Sequence, residues 1–381
     1  MKTKKRLTVS LSSIAIGCSG VSFTHAQGIG NAVDLYAGVS GAVEYTDNVF
    51  LNSNEDSDTI FYLSPFVGIA RDKGLVSLDG TAGVNFQKYV DFDDNDSANL
   101  FANLSGAYAG KPLSASGSIG YTQETQASGA VGTILETGNF NVNGSLKYYI
   151  SDISGVSASA GYATSVSDTS GFGDTETFTV GGGGFYDYSE ALSFDLGVRY
   201  RRTEVSDVNQ AANDSDDIAL IGGVTGDLTP TLVGNLQAGV QQRSFDNANE
   251  DDQVRPFFGA GLTWTIDSLT SVSLTGKYDY TTTVSNLSQE SLILTGTLNH
   301  SFTNQLSGNV GLSFEDDNFV STVPGQEDRD DTQWEVFGGA SYQLTDWGTV
   351  GVQLSYADRD SNEDFFTYDV FSATLSASAS F

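Results

Sequence analysis

The chemistry open to this chain is bounded first by what it lacks. Its two histidines are His25 and His300, and its one cysteine is Cys18. His25 and Cys18 both fall in an amino-terminal stretch that reads as a leader. His300 alternates with Leu298 and Phe302 near the end of a predicted strand, and no serine can be assigned to it as a nucleophile. Acid–base catalysis needs two carboxylates in a defined relation, and nothing singles out a pair among the 48 Asp and Glu. The chain therefore reads as not an enzyme, with no catalytic residue and no cofactor site.

Two other groups of residues carry chemistry. The first is a set of acidic runs: Asp91, Asp93, Asp94 and Asp96; Asp214, Asp216 and Asp217; Glu250, Asp251 and Asp252; and Glu327, Asp328, Asp330 and Asp331. Hard divalent cations take carboxylate oxygens, which makes Asp93, Asp94, Asp96, Asp328, Asp330 and Asp331 candidate ligands for Ca²⁺ or for ions shared with lipopolysaccharide phosphates. None of the runs has the spacing of a calcium loop, and a solvated, self-repelling loop accounts for each of them as well. The second group comes from strand parity. With Leu192, Phe194, Leu196, Val198 and Tyr200 on one face, Asp195, Arg199 and Arg201 take the other. The same argument turns Lys147, Arg243, Lys277, Asp279 and Glu335 to that second face. Charges so placed either set the selectivity of a pore or pair with one another to brace a wall; parity leaves both open.

The elements that must position these residues are strands. From Phe371 to Phe381 every second residue is apolar (Phe371, Ala373, Leu375, Ala377, Ala379, Phe381), and the residues between are Ser or Thr. One face is thus hydrocarbon and the other hydroxyl. This pattern recurs about eighteen times with no interruption by a helix. Short connections, as at Lys111-Pro112, Ser151-Asp152 and Thr303-Asn304, alternate with long Asp/Asn-rich ones near 90–97, 123–136, 165–175, 203–216, 244–254, 281–289, 315–331 and 358–366. Arg71-Asp72-Lys73-Gly74 has the composition of a tight turn, with Gly74 suited to positive φ. Tyr108, Tyr121, Tyr148, Tyr162, Tyr186, Trp264, Tyr278, Tyr342 and Tyr356 fall near strand ends, as a headgroup-level girdle requires. Asn141, Asn143, Ser145 and Lys147 on one inner face would be costly in a dry core. An open sheet edge in hydrocarbon would leave backbone groups unpaired. The fold predicted is all-β: one closed antiparallel transmembrane barrel of about 18 strands (16–20), with short periplasmic turns and longer extracellular loops.

Composition agrees. No apolar run approaches the roughly 20 residues of a membrane-spanning helix. Lys2, Lys4, Lys5 and Arg6 precede a short apolar stretch, and Thr24-His25-Ala26 offers a cleavage site, so residues 1–26 read as a signal peptide and 27–381 as a single barrel domain. A weaker lipobox-like alternative ends at Cys18. Four of the 17 basic residues lie in the leader and none of the 48 acidic ones do, so the net charge of −31 becomes −35 after cleavage. That acidity excludes nucleic acid as a partner.

Glu44-Tyr45-Thr46-Asp47-Asn48-Val49-Phe50, followed by Asp58 and Leu63-Ser64-Pro65, resembles the first hairpin of the putative β-barrel porins, a bacterial outer-membrane family. Phe381 resembles the carboxy-terminal signal read by the barrel-assembly machinery. The resemblance implies a Gram-negative outer-membrane location, lipid and lipopolysaccharide as surroundings, and an association with exopolysaccharide export components. Tyr45-x-Asp47-Asn48 also fits a local loop-closing device, since Asp and Asn side chains make turns. The function expected is a porin-like channel for small solutes or for exopolysaccharide export. The alternative is a surface anchor or adhesin-like barrel whose acidic loops bind a partner or divalent cations.

Overall fold

The computed structural model describes residues 27–29, 33–206, 214–246, 252–282, 288–320 and 328–381, with side chains omitted for 27–29 and Ser288. Residues 1–26, Glu250, Asp251 and Glu327 lie outside the described residues. A short strand, β1 (Gln27–Ile29), pairs antiparallel with the start of the first wall strand. The wall itself is β2 (Val33–Thr46), β3 (Asp58–Lys73), β4 (Val76–Tyr89), β5 (Ser97–Ala109), β6 (Leu113–Ser128), β7 (Thr133–Tyr149), β8 (Ser154–Ser167), β9 (Asp174–Asp187) and β10 (Leu192–Ser206). It continues through β11 (Ser215–Asp227), β12 (Leu232–Phe245), β13 (Gln253–Thr265), β14 (Thr270–Thr282), β15 (Ser288–Ser301), β16 (Leu306–Val320), β17 (Arg329–Thr345), β18 (Gly348–Ser361) and β19 (Tyr368–Ser380).

Each strand pairs antiparallel with the next, and β19 pairs with β2 from Ser372↔Thr46 to Ser380↔Gly38. The result is a closed barrel of 18 strands, β2 to β19, with no free edge in hydrocarbon. Phe381 extends the closing seam by one rung, exchanging backbone hydrogen bonds with Ala37 at 2.7 and 3.0 Å, and its ring stacks on Trp347. Gly74 sits at φ +72° in the tight β3–β4 turn.

Parity has its physical consequence on the outer surface. Leu63, Val67, Leu196, Val198, Leu312, Val336, Leu354 and Leu375 are exposed, and so are all three tryptophans, Trp264, Trp334 and Trp347. In a soluble protein such an apolar surface would be a liability; here it meets lipid. Inside, aromatic rings lie flat on cross-strand glycines: Tyr36 on Gly68, Phe66 on Gly38, Phe101 on Gly83, Phe185 on Gly155 and Phe337 on Gly311. A Cβ at any of these glycines would collide with the ring, so the missing side chain lets the ring lie against the wall.

The strands run further into the long-loop rim than the sequence suggests. Stretches 123–136 and 315–331 have the composition of loops, yet β6 continues to Ser128, β7 begins at Thr133, β16 continues to Val320 and β17 begins at Arg329. Above the bilayer both faces of a strand meet polar surroundings. The period-two signal then disappears while the hydrogen-bonded ladder persists.

Candidate functional site

Two buried ion-pair clusters line the inner wall near the long-loop rim. In the first, Asp217 on β11 accepts from Arg243 on β12 through both oxygens, at 2.7 and 2.9 Å, and from Arg201 on β10 at 2.6 Å. Asp217 and Arg243 are each 1 % exposed. Arg201 also reaches Asp279 on β14 with two contacts of 3.3 Å, and Arg199 lies 3.5 Å from the same carboxylate. Lys277 stands 3.7 Å from Asp279, and Arg199 donates to Gln241 Oε1 at 3.1 Å. Arg199, Arg201, Arg243 and Lys277 thus gather around Asp217 and Asp279.

Arg201 and Asp279 come from strands four apart in the ring. They meet because the β13–β14 ladder stops at Phe258↔Tyr278, so the upper end of β14 leans inward. Arg201 then donates to Tyr280 O and Arg243 to Thr281 O, both at 3.1 Å, with the Arg243 guanidinium over the Tyr280 ring. Arg199, Arg201, Arg243, Lys277 and Asp279 thus share the inner face and meet there. Lys147 sits apart, its amine over the Phe185 ring at 5.3 Å, and Asp195 lies opposite Phe185 toward the short-turn rim. Glu335 is on β17 opposite Ala357 and Ser313.

The second cluster lies outside the strands that parity assigns. Arg359 on β18 donates to Asp331 at 2.6 Å and lies 3.5 Å from Asp317, while Arg329 lies 3.2 Å from Asp331. The Arg329 guanidinium is held between the Phe319 and Phe366 rings, 3.8 and 3.9 Å from their centroids. The signal was present in the sequence as alternation through Asp317, Arg329, Asp331 and Arg359, but it lay in stretches read as loops.

The proposed cation ligands do not converge. Asp331 points inward to arginines, whereas Asp330, the next residue along β17, points outward and accepts from Asn318 at 2.6 Å. Asp328 precedes the strand. Asp93 and Asp94 open a single 3₁₀ turn, and Asp96 is paired with Lys88, whose hydrogen bond holds that carboxyl below its usual range. Among the described residues no three His, Cys, Asp or Glu form a metal-holding group. His300 Nδ1 lies 3.0 Å from Thr270 Oγ1, which donates to Asp267 Oδ2 at 3.2 Å, all at the short-turn rim.

The hairpin motif acts in two places. Asn48 Nδ2 donates to Asn52 O at 2.8 Å, closing its own loop, and to Asp369 O at 3.2 Å across the seam. Asp47 Oδ1 accepts from Phe371 N at 2.7 Å, so the same motif ties the first loop to the last strand. Asp58 accepts from the backbone of Val90, Asp91 and Phe92, each at 3.1 Å, and so fixes the β4–β5 loop.

Over this mouth lies the upper part of the β6–β7 hairpin. The β5–β6 ladder ends at Phe101↔Thr122 and the β7–β8 ladder at Thr137↔Ser167, while β6 and β7 stay paired to Ser128↔Thr133. Freed on both flanks, the hairpin folds inward. Its tip meets β17 across the ring and the β2–β3 loop: Arg329 donates to Ala130 O at 2.9 Å, and Asn52 Nδ2 to Gly132 O at 2.8 Å. Ile134 joins Val49, Ile60 and Tyr89 in a small apolar cluster beneath it.

A closed ring with an apolar exterior, a polar interior and an inward-folded segment across its mouth defines a porin-like outer-membrane barrel. Residues 195–380 match the family described as Putative beta-barrel porin 2. The match covers the strands of both ion-pair clusters and not the hairpin motif at 44–65. Among solved structures, OccK2 (OpdF) of Pseudomonas aeruginosa is similar in fold, with a TM-score of 0.51 at 10 % identity over 92 % of this chain and 97 % of that one. OpdO of the same organism aligns at a TM-score of 0.49 and 13 % identity over 91 % and 97 %. No curated protein sequence matches the chain.

Proposed function

We propose that the protein is a passive channel for small water-soluble solutes. The observation that carries this reading is the inner face of the closed ring. It is hydroxyl, amide and glycine along most of its length, with charge gathered into clusters under one rim. A ring of this strand number leaves room for water. Ser/Thr/Asn/Gln rows beside flat aromatic rings suit hydroxyl-rich solutes, which supports the association with exopolysaccharide export. The anchor or adhesin reading needs long free loops. Several of these stretches are instead strand, which favours the channel.

The test is conductance of the purified protein in planar bilayers, with oligosaccharide added to one side. Ion current that the saccharide reduces supports the reading, including its polysaccharide part. Current indifferent to saccharide leaves the solute class wrong, and silence at every voltage rejects the channel.

A further inference from the structure

The hairpin across the mouth has two ways of satisfying its backbone. In the described arrangement Ser97–Leu100 of β5 and Gln123–Gln126 of β6 are not paired with each other, although both are extended. Side chains fill in: Gln123 Oε1 accepts from Leu100 N at 3.1 Å, and Thr125 Oγ1 donates to Asn99 Oδ1 at 3.2 Å. Continuing the register of Phe101↔Thr122 would place Leu100 opposite Gln123, Asn99 opposite Glu124, Ala98 opposite Thr125 and Ser97 opposite Gln126. On the other flank, Glu136 would stand opposite Asp168, whose N–H already donates to Glu136 O at 2.9 Å.

We propose that residues 123–136 are a gate. The hairpin swings as one self-paired unit about Thr122 and Thr137, leaving its latch on β17 and the β2–β3 loop and zipping onto β5 and β8 as an upward extension of the barrel. This inference rests on the channel reading.

The exchange is between two satisfiable states, which is what a switch requires. Closing holds two tip hydrogen bonds, from Arg329 and Asn52, and the burial of Ile134 and Leu135, 7 and 6 % exposed. Opening gains ladder hydrogen bonds on both flanks and loses that burial; the closed arrangement is the one the structure shows. The latch is small, and its donors sit on elements that do not move with the hairpin: Asn52 on the β2–β3 loop, and Arg329 on β17 between two rings.

A disulfide reads the open register directly. In a Cys18→Ser background, Ala98→Cys with Thr125→Cys pairs positions that face each other only after the swing. In the closed state Ala98 is exposed on the outer face, whereas Thr125 is 3 % exposed. Ala102→Cys with Tyr121→Cys, opposite each other in the existing ladder, is the control for oxidation. Expected results are oxidation of both pairs and, for Ala98/Thr125 alone, a locked high-conductance state that reductant reverses. Ile134→Ser should lengthen open dwell times several-fold without changing the open conductance. The gate is overturned if the control oxidises and Ala98/Thr125 does not, or if the latter oxidises with no change in current. Silence of every variant, the locked-open one included, with the disulfide formed, would reject the channel while leaving the hairpin motion standing.

Discussion

Asp217→Asn tests whether the first cluster is a buried, mutually dependent unit. The side chain is 1 % exposed and accepts three charge-assisted hydrogen bonds of 2.6–2.9 Å from Arg201 and Arg243. Neutralising it removes the carboxylate that the two guanidinium groups share, with Arg243 equally buried and Arg201 keeping Asp279. Removing one partner of a buried ion pair costs about 3–5 kcal/mol, whereas a water-screened pair costs about 0–1 kcal/mol. Urea unfolding of the detergent- or vesicle-embedded protein, followed by tryptophan fluorescence, distinguishes the two. Combining Asp217→Asn with Arg243→Gln should recover part of the loss, giving a coupling energy above about 1 kcal/mol. A single-variant loss below about 1 kcal/mol, with additive double-variant behaviour, would show that water screens this wall and that the charges act independently.

Lipids brominated along their acyl chains should quench most of the fluorescence, because Trp264 and Trp334 are about half exposed on the apolar faces of β13 and β17; dominant quenching by aqueous iodide would contradict the parity argument. Asn48→Ala removes two donated hydrogen bonds and one accepted at 3.3 Å from a site 1 % exposed, and should cost about 2–3 kcal/mol in unfolding experiments. A loss no larger than that of an exposed loop asparagine would remove the seam-tying role. Hydrogen bonds from Leu269 N, and then from Thr270, hold the Asp267 carboxyl below its ordinary range. Its contribution is therefore complete above about pH 3.9 and disappears as pH falls through the lowered value, so Asp267→Asn should flatten stability against pH only on the acid side. In a KCl gradient the acidic mouth should give a cation-selective reversal potential that shrinks as salt rises, and Asp217→Asn should shift it toward anions.

Alternation alone determined the architecture of this protein. Residues such as Leu375, Ser376 and Ala377 report which medium lies on each side of a single strand, and repeating that report around the chain specifies a sealed wall with oil outside. It also told which face Arg199, Arg243 and Asp279 would take, because facing is a local property. Tertiary structure decided what those residues meet. Arg201 reaches Asp279 only because β14 parts from β13, and Arg329 reaches Ala130 only because the β6–β7 hairpin leaves both of its neighbours. Those departures occur above the bilayer, where both faces of a strand are polar and a hydrogen bond to water or to a side chain can replace a ladder rung at small cost. There the linear pattern carries no signal, and the choice falls to contacts between residues 78 and 199 positions apart.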